Sequence, residues 1–252
     1  MTVPADGAAT APRAYFDGRA PRYWTDLYGG PATNHYQLLL RKRRAIVQEL
    51  MQGLGGPVLD LGSGPGLLWE ERADRLFAVG DISLEMVRQA RTRAGAEAVY
   101  AQLSASALPF APRTFGLITA IGVLEYVDDE AASLREIHAA LREDGVAILT
   151  FPAHKPFEEL LRRAARLVSR RAPVLTKRLD RERGFGAVCR LLDGAGFRIE
   201  EVRSFHYFYF PWCRLFFGAS RRVDAALEWT AGRVPAAGRL AQSWVFKVVR
   251  KP

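Results

Sequence analysis

Two acidic residues frame a run of glycines in the first third of the chain, and their spacing describes a cradle for a charged nucleoside. Val58-Leu59-Asp60-Leu61 is a short apolar run, and Gly62-Ser63-Gly64-Pro65-Gly66 follows it at once. A strand that ends in a glycine-rich turn and opens a helix is a ligand site in doubly wound folds. Gly62, Gly64 and Gly66 let a ligand approach the backbone and permit positive φ angles. A dinucleotide fingerprint would need glycine where Leu67 stands, and a P-loop would need a lysine that is absent. Asp60 would repel a pyrophosphate and attract an ammonium group. Asp81, 21 residues further on, ends the next strand and is placed to accept ribose hydroxyls. As an alternative, both acids cap the helices that follow them. Their register with the glycines favours ligand roles.

An amino-acid ammonium and a ribose occur together in S-adenosylmethionine (SAM). Methyl transfer from its sulfonium is an in-line displacement, so catalysis is mostly alignment, with a base where the nucleophile must lose a proton. Candidates for that chemistry lie just past the strand ends: Glu125 and Tyr126, His154, and His206. His154 is the first choice as base because imidazole titrates near neutrality; the alternative is a polar loop residue. His206 sits among aromatics and is as easily a packed core residue. Tyr15, Phe16, Tyr23, Trp24 and Tyr28 are expected to form a lid whose aromatic faces favour a sulfonium. Arg41 or Arg43 would reach the SAM carboxylate, with Arg41 preferred; a solvated helix face is the alternative.

Four segments in order, Val58 to Gly66, Val79-Gly80-Asp81-Ile82-Ser83, Ala107-Leu108-Pro109-Phe110 and Gly122-Val123-Leu124-Glu125-Tyr126-Val127, resemble successive motifs of class I SAM-dependent methyltransferases. The ubiquinone/menaquinone biosynthesis type is the most similar, over roughly Val58 to Pro152. The resemblance implies that Asp60, Gly62 and Gly64 line the methionine end; Ser63, Gly66, Ile121 and Tyr23 are expected in the cofactor site as well. It places Asp81 on the ribose, Ile82 and Met86 around the adenine, and Ser104 and Ala105 on its amino group. Ser104 stands where the family usually has an aspartate, and a neutral acceptor there is weaker. Gly116 likewise replaces a common aspartate. The opening aromatics also resemble those of magnesium-protoporphyrin O-methyltransferases.

The surrounding elements must position these residues. Leu38 to Leu50 has a helical apolar face, and strand signals fall at 57–61, 76–79, 98–100, 115–121, 145–151, 197–202 and 244–249, with helices at 67–73, 84–93, 131–142 and 184–193. This pattern predicts an α/β, Rossmann-like, seven-stranded, mostly parallel sheet with helices on both faces. Residues 1–14 read as a disordered tail and 15–252 as a single domain, with an N-terminal helical lid over 15–52. An amphipathic helical insert over 154–183 follows the fifth strand.

Of the net charge of +9, the stretch from Lys155 to Arg183 supplies +6, from ten Lys/Arg against four Asp/Glu. Such a concentrated patch speaks against a whole-protein nucleic-acid surface and fits peripheral contact with anionic lipid, or else a solvated cap. Cys189 and Cys213 lack metal or disulfide spacing and suit a reducing cytoplasm; no metal is expected. Eight aromatics between Phe205 and Phe217 suggest an apolar or aromatic small-molecule acceptor. The expected function is methyl transfer to such a metabolite, with oxygen favoured. Its rivals are quinone or lipid C-methylation at a membrane, RNA methylation and a non-catalytic SAM-binding protein. The oligomeric state is not legible.

Overall fold

The computed structural model describes residues 7–69, 77–94, 98–153, 183–207 and 217–252. Seven strands form one sheet: β1 (Val58–Leu61), β2 (Phe77–Asp81), β3 (Val99–Gln102), β4 (Phe115–Ala120), β5 (Leu141–Pro152), β6 (Phe197–Phe205) and β7 (Ser243–Arg250). Their order is β3-β2-β1-β4-β5-β7-β6. The first five run parallel, and β7 inserts antiparallel between β5 and β6. This is the expected α/β architecture. Every residue of β1 is buried, as a central strand covered on both faces requires.

Six helices accompany the sheet among the described residues: α1 (Gly7–Tyr28), α2 (His35–Leu50), α3 (Leu84–Ala94), α4 (Glu130–Ala140), α5 (Phe185–Gly194) and α6 (Phe217–Ala231). Asn34 caps α2 by accepting from the Gln37 N–H at 2.9 Å, and Asp129 caps α4 through Ala132 at 2.8 Å. Leu59, Leu61, Ile118, Leu149 and Phe246 belong to one core cluster, and Val58, Val79, Leu117, Ile148 and Val245 to another. The alternation along each strand divides them between the sheet's two faces.

Several boundaries differ from expectation. The chain is helical from Gly7, so the disordered reading of 1–14 does not hold for its second half, although Pro12 and Pro21 stand inside that helix. The helix expected over 131–142 stops at Ala140, because β5 begins at Leu141, whose backbone pairs with Phe115. Turns occupy the start of the helix expected over 67–73, and residues 70–76 lie outside the described part. Helix α6 was not foreseen. Its buried residues are Ser220, Asp224 and Ala231, so no apolar period marks its inner face.

The glycine at 116, where the resemblance led to the expectation of an aspartate, has a visible reason. A Cβ there would lie 2.6 Å from the Gly55 carbonyl oxygen, so no side chain fits. No described helix is long and apolar enough to cross a membrane.

Candidate functional site

The strand order reverses between β1 and β4, and a crevice opens beyond their carboxyl ends, where doubly wound sheets bind ligands. A cavity of about 600 Å³ occupies it, and a smaller chamber of about 60 Å³ adjoins it, sharing Tyr23, Leu40, Arg43, Gly62, Gly64 and Ile121.

The glycines of the turn have three separate reasons to be glycine. All have positive φ, at 67° for Gly62, 53° for Gly64 and 84° for Gly66. A Cβ on Gly62 would sit 2.1 Å from Val123 Cγ2, and one on Gly66 would sit 2.9 Å from Ala90 Cα. These two permit close packing. A Cβ on Gly64 would meet nothing within 4 Å. That position opens onto both hollows, and its bare backbone is the surface a ligand can approach.

Asp60 lines the small chamber at 1% exposure. Pairing of β1 with β4 sets it beside Thr119, whose Oγ1 donates to Asp60 Oδ1 at 2.7 Å. Asp60 Oδ2 accepts no hydrogen bond of full geometry among the described residues, although the Trp69 indole lies close enough to act on the carboxyl. Burial pushes the Asp60 carboxyl up to about 6, with Thr119 and the Trp69 indole working in the opposite direction and nearby Asp81 adding to the rise. A buried carboxylate with acceptor capacity to spare is a site for a cation, and an α-ammonium group supplies one.

Asp81 is also not a simple helix cap. Its Oδ2 accepts from the Gly64 N–H and its Oδ1 from the Ser83 N–H, both at 2.9 Å. Ser83 caps α3, since its Oγ accepts from the Met86 N–H at 3.1 Å. Asp81 therefore faces the main cavity and ties the glycine turn to β2, while burial raises its carboxyl above the ordinary range. Ser83 Oγ also donates to Asp17 Oδ1 at 2.5 Å, which fastens α1 across the mouth of the crevice.

Ile82, Met86, Ser104, Ala105 and Ile121 line the main cavity, as does Tyr23. Ser63 and Gly64 line the small chamber. Gly66 lines neither and acts through packing against α3. Ser104 Oγ already accepts weakly from the Ser106 N–H at 3.3 Å. Among the lid aromatics, Tyr15, Phe16 and Tyr23 border the cavity, and Phe16 meets Tyr126 edge-on at 4.9 Å. Trp24 instead stacks on Tyr28 at 5.7 Å.

Arg41 takes a different place from the one expected. Its guanidinium donates to the Tyr28 and Gly30 carbonyls at the end of α1, and it lines neither hollow. Arg43, two residues on and therefore on another face of α2, is the arginine that borders both. Burial opposes its charge, but Tyr28, Glu125, Tyr23 and Tyr36 more than offset that and keep it cationic. Gly122, at φ 72°, clears its path, since a Cβ there would lie 2.8 Å from Arg43 Nη1.

Glu125, Tyr126 and His206 also belong to the residues around the main cavity. His35, expected in the lid, lines it as well. His154 and the basic stretch 155–182 lie outside the described residues, as do 208–216 of the aromatic cluster. The two edges of the insert meet: Ala153 bridges to Arg183, whose Nη2 and Nε donate to Glu130 Oε2 at 2.7 and 3.1 Å.

Residues 59–149 match a methyltransferase domain family. Among curated proteins, the ubiquinone/menaquinone biosynthesis C-methyltransferase UbiE of Geotalea uraniireducens is 32% identical over 117 residues, covering 42% of this chain and 50% of that protein. The ubiquinone biosynthesis O-methyltransferase of Azotobacter vinelandii is 30% identical over 121 residues, covering 46% and 52%. The chain thus spans about half the length of the curated relatives it matches. Among solved structures, magnesium protoporphyrin IX methyltransferase from Synechocystis PCC 6803 with bound SAH superposes with a TM-score of 0.64 at 19% identity, covering 96% of this chain and 99% of that one. The [4+2]-cyclase SpnF gives 0.65 at 19% identity, covering 100% and 99%. At these identities the structural likeness establishes the fold.

Proposed function

We infer that this chain, a class I SAM-dependent methyltransferase by its domain match over 59–149 and by its fold, transfers a methyl group from SAM to a small apolar or aromatic acceptor. The observation that carries the reading is the buried Asp60 carboxylate, with acceptor capacity to spare, in the chamber that the open face of Gly64 also lines. The residues present fit the donor. Asp60 would hold its ammonium, Arg43 its carboxylate, Asp81 the ribose hydroxyls, and Ile82, Met86, Ser104 and Ala105 the adenine. SAM, when bound, supplies an electrophilic methyl group on a sulfonium. The chain's own residues orient the partners and exclude water: α1 closes over the crevice through the Ser83–Asp17 bond, and Phe16 and Tyr126 narrow the space between donor and acceptor.

Oxygen is the acceptor atom we favour, because Glu125 and Tyr126 line the same cavity and a hydroxyl must lose its proton. Carbon methylation of a quinone-like ring is the second reading. It is favoured by the likeness to the ubiquinone/menaquinone C-methyltransferases, and it would place the basic stretch after Ala153 on a membrane surface. Incubating the protein with methyl-labelled SAM and a cell extract, then identifying the labelled product by mass spectrometry, tests the function. A labelled small molecule is expected. Label in RNA alone, or in nothing, overturns the reading.

A further inference from the structure

The donor reading leaves one cation of the main cavity without a task. Arg19 and Arg43 are the arginines that border it, and Arg43 is assigned to the donor carboxylate. Arg19 borders the main cavity and not the small chamber. It stands on α1, where Phe16, Arg19 and Tyr23 share one face at helical spacing. Asp17, which accepts from Ser83 Oγ, points roughly 200° round the helix from Arg19. Phe16 lies on Arg19's side and meets Tyr126 beyond β4. Helix α1 therefore turns Arg19 away from the Ser83 latch and toward the space that Phe16 and Tyr126 narrow.

The surroundings of Arg19 are phenols. Tyr15 and Tyr36, at 41% and 38% exposure, stand with it at the rim of the cavity. Arg19 Nη1 donates to the Tyr15 hydroxyl at 2.5 Å, and its guanidinium carbon lies 5.4 Å from the centre of that ring. The neighbours whose charge acts on it are Tyr15, Tyr36 and Tyr23. Glu125 and Asp128 border the cavity as well, but Glu125 acts on Arg43 and neither acts on Arg19. Arg13, on the same helix, has its own acid in Asp17 at 3.7 Å. Arg19 has no such acid among the described residues. A guanidinium held at one nitrogen by a hydroxyl keeps a further N–H edge to receive two oxygens in parallel.

We propose that Arg19 is a specificity-determining residue: the acceptor carries an oxyanion, a carboxylate or a phosphate, apart from the atom that is methylated, and Arg19 receives it at the mouth of the cavity. The inference rests on the methyl-transfer reading above. In a mostly apolar pocket a few placed polar groups set the orientation of the ligand. A charged fork at the rim, above walls that include Phe16, Val127 and Phe151, selects an amphipathic acid. An oxyanion gripped by a guanidinium has its lone pairs engaged and is a weak nucleophile. It is the handle, and another atom takes the methyl group. Tyr15 is the positioning residue, since its hydroxyl holds the fork.

The first test needs no donor. The dyes 8-anilinonaphthalene-1-sulfonate and N-phenyl-1-naphthylamine share one ring system, and only the first is an anion. Each is titrated into the full chain and followed by fluorescence. The sulfonate should bind the parent about tenfold more tightly than Arg19→Gln, and the neutral dye should bind both within about twofold. Arg22→Gln removes the same charge from the same helix at a position that borders neither hollow, and should leave both dyes unchanged. Equal sulfonate affinity in the parent and Arg19→Gln, or an equal loss in Arg22→Gln, overturns the proposal.

In the second test, the product labelled from methyl-labelled SAM and a cell extract is run on an anion exchanger at neutral pH. It should be retained, and mass spectrometry then separates a carboxylic acid from a phosphate ester. For its unmethylated form, Arg19→Gln should raise KM about tenfold and change kcat by less than about threefold, with S-adenosylhomocysteine bound within about twofold of the parent. An uncharged product, or S-adenosylhomocysteine binding that falls in step with KM, refutes the assignment and leaves the donor site standing. Failure of the parent to bind S-adenosylhomocysteine at all would instead refute the reading beneath it.

Discussion

The glycine turn and the His206 turn are both left-handed backbone against one cavity, held in place by different means. Gly62, Gly64 and Gly66 need no side chain of their own, and Asp81 ties Gly64 from 17 residues away. His206 is held by Asp224 and Glu228, which are themselves paired with Lys42 across 182 and 186 residues. The first region is a strand and a glycine turn, tied down by an acid only 17 residues further on. The second exists only once α2, β6 and α6 have docked. A short segment can therefore specify one wall of the cavity, while a wall built from docked elements can change its chemistry with few substitutions and no change of fold.

The sharpest way to separate the two regions is to damage one and read both. Lys42→Met leaves Asp224, which is fully buried, without its ammonium partner. It should cost about 3 kcal/mol of folding stability, measurable by urea denaturation, because a buried charge loses its counter-ion. Asp60→Ala should leave the fold in place and weaken donor binding by roughly 1.5–3 kcal/mol, about 10- to 150-fold, as read by calorimetry.

Two further substitutions test the arginine assignment. Arg43→Met should weaken SAM binding by about tenfold, the scale of one charge-assisted contact. Arg41→Met should change it little, since that side chain serves the end of α1. Equal losses in both variants would return Arg41 to the site.

Acidity should act on the donor end at a defined point. The Asp60 carboxyl, raised by burial to about 6, is charged above that pH and neutral below it. An ammonium binds the charged form, so donor affinity should be flat above pH 6 and fall about tenfold per pH unit below it. Folding responds in the opposite sense. Burial disfavours the ionised form, so the free protein loses Asp60's share of stability as pH rises from the unfolded carboxyl value through about 6. The smallest effect is expected from Ser104→Asp. It supplies a charged acceptor at that wall of the cavity and should tighten adenine-dependent binding by about threefold to tenfold.

This contrast also explains how much was legible in the sequence. The seven strands and the residues Asp60, Gly64, Asp81, Ile82 and Met86 that line the two hollows are encoded in short apolar runs, turn glycines and their spacing. Arg41 was preferred over Arg43 because side-chain direction depends on how α2 docks, which spacing alone does not fix. Helix α6 escaped because its inner face is Ser220, Asp224 and Ala231, which imitates a solvated surface. Asp224 and Lys42 were missed with it. The surviving signal was the four-residue recurrence Ser220–Asp224–Glu228, a helical period written in polar residues.

The central claim is that the chamber beside Gly64 is a SAM site organised by Asp60. Calorimetric titration with S-adenosylhomocysteine, which keeps the ammonium and ribose without the sulfonium, tests it most directly. The account predicts one site per chain at pH 7.5, weakened by at least tenfold in Asp60→Asn. No binding to the parent protein, or equal binding to both, would contradict it.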